Sequence, residues 1–363
     1  MSDVIISGYY GLGNSGDEAL LKCIINDLRM ANPDITITAL SGNAQLTKRL
    51  YGVKTVNRFN LVSIIKEFKK AKLLISGGGT LIQDATSTKS LLYYLGIISL
   101  AEKMGLKTMV YANGMGPIKE KNLKKVKKVL DKVDLITLRE NVSLEEIKRC
   151  DITAPKVLIT ADPAFNLVAS DCKRANDILS GFGISAEDKI VAVSVRNCNN
   201  IPVNFVKELA AALDEIAEKG YVPVFIPMQR GCDLSISIDV ASKMKNISKV
   251  IDCELSVADL LAIIGRCEMA CGMRLHMLIF ASVMNVPMVG IAYDPKIKGF
   301  MEYMNQKRFL ELEAFSGDSF TKLMYDCLDN LEAVRSELEV SSVSLREKAK
   351  ENAKLAIELI EKQ

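Results

Sequence analysis

The sequence predicts an α/β protein made of two successive Rossmann-like domains facing a cleft, followed by C-terminal helices. Three observations carry this. Short β-rich runs alternate with longer helical patterns in both halves of the chain, as right-handed βαβ units with parallel sheets require. Several of these runs end in glycine, at the strand ends where open α/β sheets take their ligands. The 363 residues exceed one ordinary core, so two domains of about 150–200 residues each are expected.

In the first half the predicted strands are 4–7, 35–40, 73–76, 108–112 and 135–138. The helices between them run over about 15–31, 60–71, 89–104, 120–131 and 141–149. Residues 151–188, with Asp162-Pro163 and Gly181-Phe182-Gly183, break this rhythm and read as the crossing between domains. Alternation resumes with strands 190–195, 222–228, 250–252, 269–271 and 287–291 and helices over about 202–219, 235–245, 256–265 and 275–284. Two helical stretches fill 318–362, the last of them amphipathic and read as a packing helix. The expected division is 1–172, 173–312 and a helical extension over 313–363. This layout is that of GT-B-type proteins, a fold-level analogy that does not by itself give a function.

Composition narrows the function. A net charge of +3 from 47 basic and 44 acidic residues argues against a nucleic-acid-coating protein. Trp is absent and aromatics make up 6%, which weakens any reading built on stacking platforms. Nine cysteines at irregular spacings and a single histidine argue against a structural zinc site and for a reducing, cytoplasmic setting. Residues 1–7 read as the start of a strand and not as a secretory leader. The longest apolar runs, such as 275–284, fall short of the ~20 residues that span a bilayer. Peripheral membrane contact stays open.

Three glycine-rich turns end predicted strands. The first is Gly8-Tyr9-Tyr10-Gly11-Leu12-Gly13-Asn14-Ser15-Gly16-Asp17-Glu18, where glycine permits close backbone approach and the helix start behind it favours an anion. It reads equally as a ligand loop or as a plain tight turn, with Asp17 complementing the helix dipole. The second is Ser76-Gly77-Gly78-Gly79-Thr80-Leu81-Ile82-Gln83-Asp84. Asp84 is a candidate base for a hydroxyl, or a helix cap, and Asp17 is the second candidate base. The third is Asn113-Gly114-Met115-Gly116-Pro117.

Arginines also close strands: Arg139, Arg196 and Arg274, with Arg230 weaker. Each offers a rigid fork suited to carboxylate or phosphate, although most arginines are simply exposed. His276, two residues after Arg274, is a candidate general acid beside a bound phosphate. Lys296 or Lys298 would pair with a phosphate or stand as a solvated loop lysine. A compact phosphorylated, anionic substrate is the expectation.

Taken together these motifs resemble the polysaccharide pyruvyl transferases, and among them the bacterial cell-wall type named CsaB. The resemblance covers about residues 3–305. It rests on the turns at 8–18, 76–84 and 114–117, Leu138-Arg139-Glu140, Ala161-Asp162-Pro163-Ala164, Arg274-Leu275-His276 and Tyr293-Asp294-Pro295-Lys296. It implies a GT-B-like fold and transfer of a pyruvyl group from phosphoenolpyruvate to a sugar as a ketal. The implied acceptor is N-acetylmannosamine of a lipid-linked secondary cell-wall polysaccharide precursor, whose pyruvylated form anchors S-layer proteins. By the same resemblance Arg139, Arg274, His276 and Lys296 fall on donor-site motifs, with Arg196 a further member, and the first domain takes the acceptor. Asn14 and Gly77, Gly78 and Gly79 join them as substrate-binding candidates. No cofactor and no metal are expected. The rival readings are a nucleotide-sugar glycosyltransferase on the same scaffold and a non-catalytic protein that binds an anion or a sugar.

Overall fold

The computed structural model describes residues 3–85, 87–198 and 200–362. The chain forms two compact units, Met1–Asn166 with Leu345–Gln363, and Leu167–Ser344.

In the first unit the chain runs β1 (Val4–Ser7), α1 (Ser15–Ala31), β2 (Ile37–Ser41), α2 (Ala44–Tyr51), β3 (Lys54–Asn57), α3 (Leu61–Phe68) and β4 (Leu73–Gly77). It continues through α4 (Thr88–Lys103), β5 (Lys107–Asn113), α5 (Glu120–Leu130), β6 (Leu135–Leu138), α6 (Ser143–Arg149) and β7 (Lys156–Ile159). The strands form one sheet in the order β3-β2-β1-β4-β5-β6-β7, and the pairings are parallel. Successive side chains of a strand point to opposite faces, and both faces are apolar here. Val4, Ile6, Leu73, Ile75 and Met109 pack with α1. Ile5, Leu74, Val110 and Ile136 pack with residues of α3 to α6.

The second unit runs α7 (Cys172–Gly181), β8 (Lys189–Ser194), α8 (Phe205–Glu218), β9 (Tyr221–Phe225), α9 (Arg230–Lys243), β10 (Lys249–Val250) and α10 (Val257–Gly265). β11 (Met269–Gly272), α11 (Leu275–Val283), β12 (Met288–Ala292), α12 (Pro295–Tyr303), β13 (Phe309–Glu311), α13 (Gly317–Asp329) and α14 (Leu331–Glu361) follow. Its sheet is ordered β10-β9-β8-β11-β12-β13, again with parallel pairings. Val191, Val193, Cys271, Val289 and Ile291 pack against Phe205, Leu209, Phe320 and Met324 of the covering helices.

Residues 151–188 are more ordered than their pattern suggests, since they hold β7 and α7. β3, α2, α12 and β13 are likewise not among the elements expected from the sequence. The edge strands explain themselves: only Val56 of β3 is buried, and β7 has no buried residue. Edge strands need little apolar content, so the alternation that marks a strand is faint. α13 packs on α8 within the second unit. Residues 345–363 belong to the first, where Ala353 and Ala356 join the core beside Val4 and Ile6. Among the described residues no helix is long and apolar enough to cross a membrane.

Candidate functional site

In the first unit the glycine turns and Arg139 stand at the C-terminal ends of neighbouring strands β1, β4, β5 and β6. Asn14 caps α1, its Oδ1 accepting from the Gly16 and Asp17 amides at 3.0 and 3.4 Å. Gly78 and Gly79 adopt left-handed φ values of +81° and +70°. A Cβ on Gly78 would stand 2.8 Å from Leu20 Cβ, and one on Gly79 2.9 Å from Asp17 Oδ1. The triple glycine thus lets the turn close down on the first turns of α1. The second and third turns are stitched by backbone bonds, Gly114 N to Gly79 O at 2.9 Å and Gly116 N to Ile82 O at 2.8 Å. Asn113 adds a side-chain bond to Ser76 O at 2.9 Å.

Arg139 is 4% exposed. Its guanidinium donates to Glu140 and Asp162 at 2.8 Å each, and to Thr80 Oγ1 at 3.2 Å. Burial works against its charge, but the two carboxylates outweigh burial and raise its proton affinity. Glu140 in turn accepts from Ser143 Oγ at 2.6 Å, and that oxygen accepts from the Met115 amide at 2.8 Å. Asp84 is fully buried. It accepts from the Lys119 amide at 2.8 Å and Asn122 Nδ2 at 2.6 Å. Burial alone would raise its proton affinity; the Lys119 amide, Asn122, the Lys119 charge and Thr88 together hold it below its ordinary value.

The second unit carries the basic cluster. Arg196, Arg274 and Lys296 follow β8, β11 and β12, three adjacent strands. Gly272 makes the exit from β11 possible. Its φ is +143°, and a Cβ there would fall 2.0 Å from Ser194 O, the oxygen that accepts from Met273 N at 2.7 Å. Arg274 then precedes α11 in extended conformation, with His276 half-buried in the helix's first turn. Arg274 is 6% exposed and donates from Nη1 to Asp233 Oδ1 at 2.7 Å. The other Asp233 oxygen accepts from the Gln229 amide at 2.8 Å. Burial pushes the Asp233 carboxyl up, while Arg274, Gln229 and Arg196 draw it back.

Arg196 donates to the Tyr293 hydroxyl at 3.1 Å and lies 5.6 Å from that ring's centroid. Burial opposes its charge, but Tyr293, Asp233 and Cys232 raise its proton affinity. Lys296 Nζ stands 6.0 Å from the same ring and 3.0 Å from Asp294. Lys298 is exposed and bonded to Glu311 at 2.8 Å, and Arg230 is exposed. Asp233 and Tyr293 are the residues that sequence reading left without a role. Asp233 sits three positions past Arg230 in a stretch whose one conspicuous residue was that arginine.

A family model described as polysaccharide pyruvyl transferase matches residues 14–295. The chain belongs to that family. The matched span begins inside the first glycine turn, at Asn14, and covers the other two turns and the strand-end arginines of both units. The amylovoran biosynthesis protein AmsJ of Erwinia amylovora is 23% identical over 395 aligned positions, covering 92% of this chain and 94% of AmsJ. Solved structures share the fold. A glycosyltransferase from Rickettsia africae superposes with a TM-score of 0.66 at 13% identity, over 100% of both chains. HepE of Anabaena, solved with UDP-glucose, gives 0.68 at 10% identity over 100% of both chains. MnaA of S. aureus, solved with UDP, gives 0.66 at 10%, over 95% of this chain and 92% of MnaA. At such identities the likeness is one of fold: the pyruvyl transferase chain has two Rossmann-like domains of the GT-B class.

Proposed function

We propose that this pyruvyl transferase takes phosphoenolpyruvate as donor and joins its pyruvyl group, as a ketal, to a sugar of a polysaccharide precursor. The observation that carries the donor is the basic cluster of the second unit. Phosphoenolpyruvate bears a phosphate and a carboxylate, and Arg196, Arg274 and Lys296 at three adjacent strand ends supply cations for both. Arg274 is preset by Asp233, so its fork is oriented before substrate arrives.

In this reading His276, as imidazolium, protonates the methylene carbon and makes the central carbon electrophilic. One sugar hydroxyl adds there. A neighbouring hydroxyl then displaces the phosphate, whose oxygen keeps the bonding pair, and the ring closes. The hydroxyl protons leave to a carboxylate and to solvent. Asp17, at the head of α1 beside Gly79, suits the base role. Asp84 is committed to Lys119 and Asn122, and we assign it the task of tying the second glycine turn to the start of α5. Arg139, committed to Glu140 and Asp162, steadies Thr80 and the third turn. The first unit's rim of Asn14 and Gly77 to Gly79 is the acceptor side. N-acetylmannosamine on a lipid-linked cell-wall precursor is the acceptor, which places the work at the inner membrane face.

The test is phosphate release from phosphoenolpyruvate by purified protein, with and without an N-acetylmannosaminyl acceptor, together with product mass. Acceptor-dependent phosphate and a pyruvyl mass gain are expected. No phosphate with any such acceptor, alongside thermal stabilisation by a nucleotide sugar, would replace the donor.

A further inference from the structure

The first unit also carries a surface that the reaction does not use. Residues 58–59 and the facing sides of α3 and α4 enclose a groove of about 590 Å³ lined by Phe59, Leu61, Leu92 and Tyr93, with Arg58 and Lys103. Of its apolar lining, Phe59 is 74% exposed, Leu61 55% and Leu92 43%, and Val62, which follows Leu61 in α3, is 80% exposed. Most large apolar side chains of this unit are buried in its cores, so four in one short region form a patch and not scattered exposure.

Lys103 lines the groove, and further lysines are exposed on or next to the same two helices. Leu92, Gly96, Ser99 and Lys103 follow one another along α4 at helical spacing and face the groove. Lys89 lies three positions before Leu92. Lys66, Lys69 and Lys70 are exposed on and just beyond α3. The acids of these helices do not cancel them. Glu67 is buried and paired with Lys54 at 2.7 Å. Glu102 is half-buried, and burial pushes its carboxyl up to about 7. Behind the patch the Arg58 guanidinium lies 4.5 Å from the Tyr93 ring centroid and 5.4 Å from that of Phe59. It also donates to Gly8 O and Tyr94 OH at 3.2 Å, so the aromatic wall has a fixed cationic backing.

We propose that this surface docks on an anionic lipid bilayer. Phe59, Leu61, Val62 and Leu92 enter the acyl boundary, and Lys66, Lys69, Lys70, Lys89 and Lys103 meet the lipid phosphates. Charge decides the occupant. Lysine is depleted in protein–protein interfaces, whereas exposed apolar side chains with lysines on or next to the same helices suit the headgroup layer. The inference stands on these exposed residues and holds whichever sugar accepts the pyruvyl group.

The chain has no tryptophan, so Phe59→Trp provides a single-site reporter in the full-length protein. With vesicles of phosphatidylglycerol and phosphatidylcholine the indole emission should shift to the blue and be quenched by acyl-brominated lipid. Pure phosphatidylcholine should bind less. Lys66→Glu with Lys69→Glu should weaken partitioning by about tenfold or more. In a tryptophan-free background, Leu61→Ser with Val62→Ser should reduce vesicle co-sedimentation by about tenfold, with unchanged thermal unfolding. Failure of the unsubstituted protein to sediment with phosphatidylglycerol vesicles at low salt overturns the proposal, as does co-sedimentation indifferent to the serine pair. Concentration-dependent dimers that the serine pair abolishes, without vesicle binding, would give the surface to a second copy. Phosphate release with a soluble acceptor is read separately, so loss of either conclusion leaves the other standing.

Discussion

Arg274 and Asp233 form an ion pair at 2.7 Å in which the carboxylate is fully buried and the guanidinium nearly so. Removing one member of such a pair leaves the other charged in a poor solvent. Asp233→Ala should therefore lower stability by about 3–5 kcal/mol, read by urea unfolding. Asp233→Asn keeps the shape and one acceptor, so it should fold. In it the KM for phosphoenolpyruvate should rise by about tenfold or more while kcat falls less, because an oriented cation has been loosened. An unchanged KM would separate Arg274 from the donor.

His276→Ala should lower kcat by about 10²–10⁴-fold if the imidazolium moves a proton. His276→Gln, which keeps a hydrogen-bond donor, should not restore it. Near-normal turnover in either variant removes the residue from the chemistry.

Asp27 gives a stability prediction with a definite sign. Its carboxyl is buried in α1 and accepts from Asn166 at 2.9 Å. Burial, opposed by Asn166 and Lys350, raises it from 3.8 to about 6. The folded state thus holds this proton more tightly than the unfolded chain. The group favours folding when protonated, at low pH, and that advantage is lost as pH rises from about 4 to about 6. Asp27→Asn can still accept from Asn166. It should add about 1–3 kcal/mol at pH 8 and little at pH 4, as the two melting curves would show. Equal effects at both pH values would mean that the carboxylate is not strained by burial.

Two glycines with the same backbone separate strain from crowding. Gly13 has φ +71° and open space where a Cβ would go; Gly79 has φ +70° and Asp17 Oδ1 at 2.9 Å. Gly13→Ala should cost about 1–2 kcal/mol from the left-handed backbone alone. Gly79→Ala should cost more and should also lower activity, since Asp17 must shift. Equal losses of stability and no loss of activity would show the turn to be plain packing.

The strands at the centre of both sheets were legible because they are buried on both faces, and β1 and β6 begin and end where the apolar runs 4–7 and 135–138 do. The polar edge strands β3 and β7 were not, because nothing in their pattern has to face a core. At the site, strand-end arginines could be picked out singly, but their partners could not. Asp233 reaches Arg274 across 41 positions of sequence and Arg139 reaches Asp162 across 23, and periodicity carries no information about such pairs. The triple glycine was legible as a place of close approach. That Leu20 and Asp17 are the groups approaching follows only from the way α1 lies under the turn.

The first unit is interrupted in sequence. Residues 3–166 lack their last layer until 345–362 arrive, when Asn352 takes a bond from Thr160 Oγ1 at 2.8 Å and donates to Ala161 O at 3.3 Å, with Ala353 and Ala356 beside them in the core. On the ribosome the order of completion is therefore inverted. The second unit has all of its residues by position 344, before the segment that completes the first is made. The first unit, made earliest, waits with a sheet face incompletely covered and is the part that chaperones would be expected to meet.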